Sequence, residues 1–539
     1  VTEAEQALPA AGANTPAAAR GTLWRACSAA FIASFCMLVI ELVAARIMAP
    51  YVGVSLYTWT SIIGVILAGI SIGAWAGGAL ADRRPRTSTL AFLFLLSGAT
   101  AVFIAPLADL IGNSPAVERL APTLLARVLF IAVSVFFVPA FLLGTISPVT
   151  VKLALADLHT SGGVVGKIYA FSTLGSIVGT FATGFVLIAW LGTRTVLLCV
   201  AAALFLSALA FSGLLRRVPV LLALVAAAGA LGFAGPDHVR RIVRSLVTPI
   251  SYGEYYYGES AYYTIRLSQA ERLDHTFLEV LVLDHLVHSF NDLRDPSDLR
   301  YAYLRLFDDI VRWKLREKPN PRLLFLGGGG YTLPRYLAAS VPGASIDVVE
   351  IDPAVTRVAI DYLGVDPHGS IHTVNQDARW FVMNTRKRYD AIFCDAFNDL
   401  SIPFHLTTRE FNARLTKLLE PRGFVAANVI DNYQRGEFLP AYANTIRSVF
   451  GPQNVALLGE WPATLVDMQG TFVVVASPDT NELRTFLRRP VPPTTTLIGP
   501  RSLSDYLRPR HPLLLTDDYA PVDNLLAKLF EQRYRYRAQ

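Results

Sequence analysis

The chain predicts two fold classes in series: an α-helical multi-pass membrane domain, then an α/β Rossmann-type domain with a small N-terminal β subdomain. Three observations predict this. Hydrophobic residues make up 53% of the 539 residues and charged residues only 17%, and the apolar excess is concentrated between Cys27 and Ala234, which is too apolar for a water-soluble protein of this length. Beyond it, "RLLFLGGGGYTLPRYLAAS" reads as an apolar strand, a glycine turn and a helix. The following run, "SIDVVEIDP", reads as a buried strand closing on the acids Glu350 and Asp352.

Taken in order, residues 1–25 begin with an Ala-, Pro- and Thr-rich stretch without an apolar run and are expected to be disordered. The first apolar run is too long for a signal-peptide core and lacks a cleavage site, so it is read as an uncleaved span. Crossing a bilayer takes about 20 apolar residues, which places spans near 26–49, 57–80, 88–111, 123–147, 168–190, 195–214 and 218–234, the last being the shortest. Basic residues cluster at Arg20 and Arg25, at Arg83, Arg84 and Arg86, at Lys152 and Lys167, and at Arg216 and Arg217. These are alternate connections, and the positive-inside rule puts them in the cytoplasm with the N-terminus. The net charge of +6 suits a membrane surface rather than nucleic acid.

Within the spans, "GGALADRRPR" resembles the short cytoplasmic loop motif of major facilitator transporters. Gly73, Gly77, Gly175 and Gly179, at four-residue intervals, equally fit plain close packing of helices. Glu41 and Arg46 are ionisable residues inside a span, which reads as a functional pair or as a structural ion pair. Cys27, Cys36, Cys199 and Cys394 have neither disulfide nor zinc spacing, and no metal is expected.

A linker at 235–252 leads to a small β-rich subdomain with a connecting helix at 253–318 and a nucleoside-binding catalytic domain at 319–539. Gly327, Gly328 and Gly329 let the backbone approach a ligand, and the acid 23 positions after Gly327 is placed to accept hydrogen bonds from ribose hydroxyls. "IHTVNQDARWF" ends a strand at Asp377 and Ala378, and "YDAIFCDAFND" ends one at Asp395, with Asn398 and Asp399 in the loop that follows. Any one of these aspartates also suits a helix cap or turn. Three acids at the carboxyl ends of strands of one sheet point to a bound nucleoside. The run "YGEYYYGESAYY" reads either as a hairpin with aromatic cross-strand pairs or as a site lining that includes Tyr262 and Tyr263.

From about Gly253 to Asn524 the chain resembles the spermidine synthase (polyamine aminopropyltransferase) family, in the membrane-fused branch with a transporter-like N-terminal half. The resemblance rests on "GESAYYTIRL", "LVLDHLVHSF", "LFLGGGGYTLPRYL", "VVEIDP", "NQDAR", "YDAIFCDAFND", "PFHLTTREF" and "LLTDDYAPVDNLL". It implies a methyltransferase-like fold and transfer of an aminopropyl group from a decarboxylated S-adenosylmethionine-type donor to a di- or polyamine. Gly327, Gly328, Gly329 and Glu350 would hold the donor's ribose side, Asp377 and Ala378 its adenine, with Tyr263 as a further donor contact. Asp395 would accept or relay the proton of the attacking amine, with Tyr262 and Tyr301 beside it, and Asn398, Asp399 and Asp284 would meet the amine substrate.

The departures matter as well. Gly330 stands where soluble members carry Asp, Tyr331 where they carry Gly, and Tyr263 where they carry Gln. Asn398 replaces the second acid of the loop, and Tyr301-Ala302-Tyr303 replaces Tyr-His-Glu. Without an acid at Gly330 the site should discriminate less against intact S-adenosylmethionine, and Tyr331 should add bulk beside the donor's tail. Two other functions are carried: an S-adenosylmethionine-dependent methyl or aminocarboxypropyl transferase, and a non-catalytic nucleoside or polyamine sensor coupled to the helices. The expected partners are a small amine, the lipid bilayer of the inner cell membrane and a second copy of the chain, with no nucleic acid. Seven spans would put the catalytic domain outside, whereas the donor is made inside and Arg240, Arg241 and Arg244 follow the seventh segment, so a cytoplasmic domain is the expectation.

Overall fold

A computed structural model describes residues 16–121, 123–155, 161–212, 253–284, 286–315, 318–396, 402–460, 462, 464–490 and 492–526. The chain divides into two compact units: Val1–Met48, Trp59–Asn113 and Val128–Pro249 form one, and Ala49–Thr58, Ser114–Arg127 and Ile250–Gln539 the other.

Among the described residues six helices are long and apolar enough to cross a membrane: Thr22–Val52, Leu56–Arg83, Thr87–Gly112, Leu124–Ala154, Ser161–Leu191 and Thr193–Ser212. The expected seventh segment, 218–234, lies outside the described residues. The fifth span carries a π-helical turn at Thr183–Leu187 and ends at Gly192, whose φ of 73° breaks the helix before the sixth begins. Small residues seat the second span against the fourth, because a Cβ on Gly73 would lie 2.2 Å from the Phe141 carbonyl oxygen. A Cβ on Gly175 would meet the Phe31 oxygen at 2.3 Å. The third and sixth spans are tied by Arg194, which donates to Asp109 at 2.6 Å. The sequence singled out Glu41 and Arg46 instead, because a pair formed between helices leaves no spacing signal in one chain.

In the second unit the chain from Glu254 forms a four-stranded antiparallel sheet in the order β1-β2-β3-β4, from β1 (Glu254–Glu259), β2 (Thr264–Glu271), β3 (Phe277–Leu283) and β4 (Leu286–Asn291). The tyrosine-rich run does form a hairpin. Its aromatic contacts are nonetheless not cross-strand pairs: Tyr256 packs on Tyr362 at 5.2 Å between ring centroids.

An eight-stranded sheet follows in the order β12-β10-β11-β9-β8-β5-β6-β7. Its strands are β5 (Arg322–Leu326), β6 (Ser345–Glu350), β7 (Ile371–Asn375), β8 (Tyr389–Cys394), β9 (Leu419–Asn432), β10 (Val455–Glu460), β11 (Gln469–Ala476) and β12 (Thr495–Ile498). Strands β5 to β9 pair in parallel, and β10, β11 and β12 add antiparallel partners. Strands β5, β6 and β8 are largely buried, as parallel strands inside a sheet are, and all six residues of β8 are buried, whereas the edge strand β7 is only partly buried. Phe325 of β5 stacks on Phe393 of β8 at 4.5 Å, and Phe307 meets Phe393 edge-on. Chain order reverses between β5 and β8, and such switch points open a crevice at the carboxyl ends of the strands.

Candidate active site

The crevice begins where β5 and β8 end side by side. Asp395 N donates to Leu326 O at 2.9 Å and Gly327 N to Val349 O at 2.9 Å, which draws three strand ends together. Gly327 has φ +103°, and a Cβ there would lie 2.4 Å from the Asp395 carbonyl oxygen, so only glycine fits. Glu350 ends β6 and is buried. Its Oε2 accepts from Gly328 N at 2.8 Å and from Gly329 N at 3.3 Å, and its Oε1 accepts from Asp352 N at 2.9 Å. Burial raises the Glu350 carboxyl above its ordinary range against the pull of these three amides.

Two clefts meet here. One is lined by Tyr263, Glu350, Asp377, Ala378, Pro403 and His405. The other is lined by Tyr301, Tyr303, Thr332, Asn428, Ile430 and Thr471. His288, Gly327, Gly329 and Asp395 line both, and Gly328 lines the second.

At the first cleft's outer end Asp377 caps the helix Ala378–Asn384, with Oδ1 accepting from Trp380 N at 2.8 Å. Its Oδ2 lies 3.3 Å from His405 Nε2. At the junction Asp395 Oδ1 accepts from Asn428 Nδ2 at 2.8 Å, and the Tyr303 hydroxyl donates to the same carboxylate. Burial pushes Asp395 above the usual carboxylate range, and those two hydrogen bonds oppose the shift. Tyr303 is itself raised well above an ordinary phenol, by burial first and then by the neighbouring Asp395.

The sequence candidates therefore divide. Gly327, Gly328, Gly329, Glu350, Asp377, Ala378, Tyr263, Tyr301 and Asp395 all line one or both clefts. The Tyr301 hydroxyl is spent on Val287 O at 2.5 Å, so its ring face is what it presents. Tyr262 is 47% exposed and lines neither cleft. Asp284 is buried in the β3–β4 turn, where its carboxylate accepts from Thr264 N at 3.0 Å; it too lines neither cleft. Asn398 and Asp399 lie outside the described residues.

One expectation needs correction. Tyr331 does not stand beside either cleft: its left-handed backbone, φ 55°, turns the ring into the core, where it is fully buried with its hydroxyl 3.1 Å from Thr356 Oγ1. At Gly330 the missing acid leaves no gap, because a Cβ there would lie 1.8 Å from Ser289 Oγ. Asn291 of the same strand donates to Gly330 O at 2.9 Å.

Tyr303, Asn428, His288 and His405 escaped the sequence reading as site residues. Tyr303, His288 and His405 lie inside the motifs named above, while Asn428 sits mid-strand in "FVAANVIDN", a polar residue in an otherwise buried run. That break in the run was the available signal. Among the described residues no group of three metal-ligating side chains comes together.

No family model matches the chain. It is 34% identical over 165 residues to a polyamine aminopropyltransferase of Vibrio vulnificus, covering 30% of this chain and 53% of that protein. A probable polyamine aminopropyl transferase of Bifidobacterium longum is 33% identical over 141 residues, 26% of this chain and 31% of its own. A polyamine aminopropyltransferase of Corynebacterium efficiens is 28% identical over 257 residues, 45% of this chain and 46% of its own. Among solved structures, a probable spermidine synthase from Corynebacterium glutamicum overlaps 51% of this chain and 99% of its own, at 20% identity and a TM-score of 0.43. The chain spans about half the length, or less, of these curated relatives, and in sequence it is spermidine synthase-like.

Proposed function

We propose that the soluble unit is an alkyl transferase of the aminopropyltransferase type, moving an aminopropyl group from a decarboxylated S-adenosylmethionine-type donor to a di- or polyamine. The observation that carries it is Asp395, a carboxylate at the meeting point of two clefts and held there by Asn428 and Tyr303. In this reading Glu350 takes the donor's ribose hydroxyls and Asp377 its adenine amino group. The sulfonium then lies over Gly327 and Gly329, and the amine enters from the Tyr303 side. The amine attacks the carbon next to sulfur, the C–S bond breaks, and its electron pair goes to sulfur to leave a neutral thioether. Asp395 accepts the amine's proton, since only the unprotonated amine carries a lone pair. The similarity to polyamine aminopropyltransferases supports the same reaction class.

A second donor is favoured by one observation. Ser289 and Asn291 fill the space at Gly330 with neutral groups, so no carboxylate there repels the carboxylate of intact S-adenosylmethionine. Mass spectrometry of nucleoside co-purified with the protein tests both readings. A methylthio- or S-adenosyl nucleoside supports the site as assigned, and a nucleotide with a phosphate contradicts it.

We place the six long apolar helices across a cell membrane. They return the chain at Ser212 to the side on which it began, the cytoplasmic side by its basic connections. The donor is made in the cytoplasm, which places the soluble unit there provided that the 218–234 segment does not cross. Reporter fusions after Arg217 and Gln539 should then both be active inside; activity outside at Gln539 alone would show that the segment crosses.

A further inference from the structure

We propose that Asn428 and Asp395 together select a primary amine as the acceptor, an inference that rests on the transferase reading above. Asn428 is 4% exposed on β9, and its Nδ2 is committed to Asp395 Oδ1 at 2.8 Å. Its Oδ1 is buried and has no hydrogen-bond partner among the described residues. The amide cannot turn that oxygen elsewhere without breaking the bond to Asp395. An ionised carboxylate offers about four acceptor positions. Asn428 and Tyr303 occupy two of those on Asp395, so acceptor capacity remains on the carboxylate that Asn428 itself holds. Both residues line the cleft by which the acceptor enters.

Two neighbouring acceptors match a nitrogen with two N–H groups. One N–H goes to Asp395, the other to Asn428 Oδ1, the third position carries the alkyl chain, and the lone pair is left for the sulfonium-bearing carbon. Asp395 has by then relayed the incoming ammonium's proton to solvent; as the N–C bond forms and the C–S bond breaks toward sulfur, the nitrogen becomes a secondary ammonium whose charge faces the ionised Asp395. Asn428 keeps its hydrogen bond throughout, so it orients the nucleophile without taking the proton. A secondary amine or a hydroxyl has one hydrogen and leaves one buried acceptor unsatisfied, which disfavours it.

The test compares 1,4-diaminobutane with its N,N′-dimethyl derivative, using the full-length protein, decarboxylated S-adenosylmethionine or S-adenosylmethionine as donor, and methylthioadenosine affinity as the check on folding. Wild type should favour the primary amine by ~10-fold or more in kcat/KM. In Asn428→Leu that preference should collapse while methylthioadenosine affinity holds, and Asn428→Gln, which keeps both ends of the amide, should recover it. An Asn428→Leu protein with wild-type preference overturns the inference. So does a Gln variant no better than Leu, or a wild type that uses both amines alike. A wild type that binds methylthioadenosine yet uses neither amine with either donor contradicts the transferase reading itself, and the inference with it.

Discussion

Glu350 Oε2 accepts the Gly328 amide at 2.8 Å, so the acid that ends β6 also holds the glycine turn after β5. Replacing it by Gln leaves one acceptor oxygen where two are in use. Glu350→Gln is expected to weaken methylthioadenosine binding by about 1.5–3 kcal/mol, the range for hydrogen bonds to a charged group. Isothermal calorimetry reads this directly, and unchanged affinity would place the ribose elsewhere.

Asp395→Asn separates binding from chemistry. The amide retains shape but cannot take a proton, so nucleoside affinity should stay while turnover falls by about 10²–10⁴-fold. A variant with lost affinity and no measurable wild-type turnover would favour a sensor.

The acid limb of the pH profile follows from the same group. Asp395 works only when ionised, and burial raises its pKa above that of an ordinary aspartate, so kcat/KM should fall off at a higher pH than such a carboxylate would give. Tyr303→Phe removes a hydrogen bond that favours the ionised form. The limb should therefore move to still higher pH in the variant; a limb that stays put or moves to lower pH would contradict this role.

Much of this site was legible because a parallel strand buried on both faces reads as an apolar run, and the first acid after it lies at the ligand end of the sheet. That logic located Glu350 and Asp395 from β6 and β8; Asp377 came from its place after the short run of β7, which is only partly buried. It could not pair Asp395 with Asn428, because β8 and β9 become neighbours only through sheet order. Nor could it foresee that Tyr331 turns inward, since that depends on a left-handed backbone angle. The contact of Ser289 with the Gly330 position was hidden too, because it joins the small sheet to the glycine turn.

Asp377 has two tasks that one substitution can separate. Its Oδ1 caps a helix through Trp380 N, while its Oδ2 lies 3.3 Å from His405 Nε2 beside the first cleft. Asp377→Ser keeps a capping oxygen and should leave the thermal midpoint close to wild type, yet weaken nucleoside binding. Asp377→Ala should lose about 1 kcal/mol of stability as well. Equal nucleoside affinity in wild type and Asp377→Ser would remove Asp377 from the base site.

The most direct test is product analysis on the purified full-length protein, supplied with decarboxylated S-adenosylmethionine and 1,4-diaminobutane and followed by mass spectrometry. Aminopropyl transfer predicts an amine heavier by one aminopropyl unit and methylthioadenosine in equal amounts, both formed about 10²–10⁴-fold more slowly in Asp395→Asn. With S-adenosylmethionine as donor, formation of S-adenosylhomocysteine and a methylated acceptor, and no aminopropylated product from the decarboxylated donor, would contradict it.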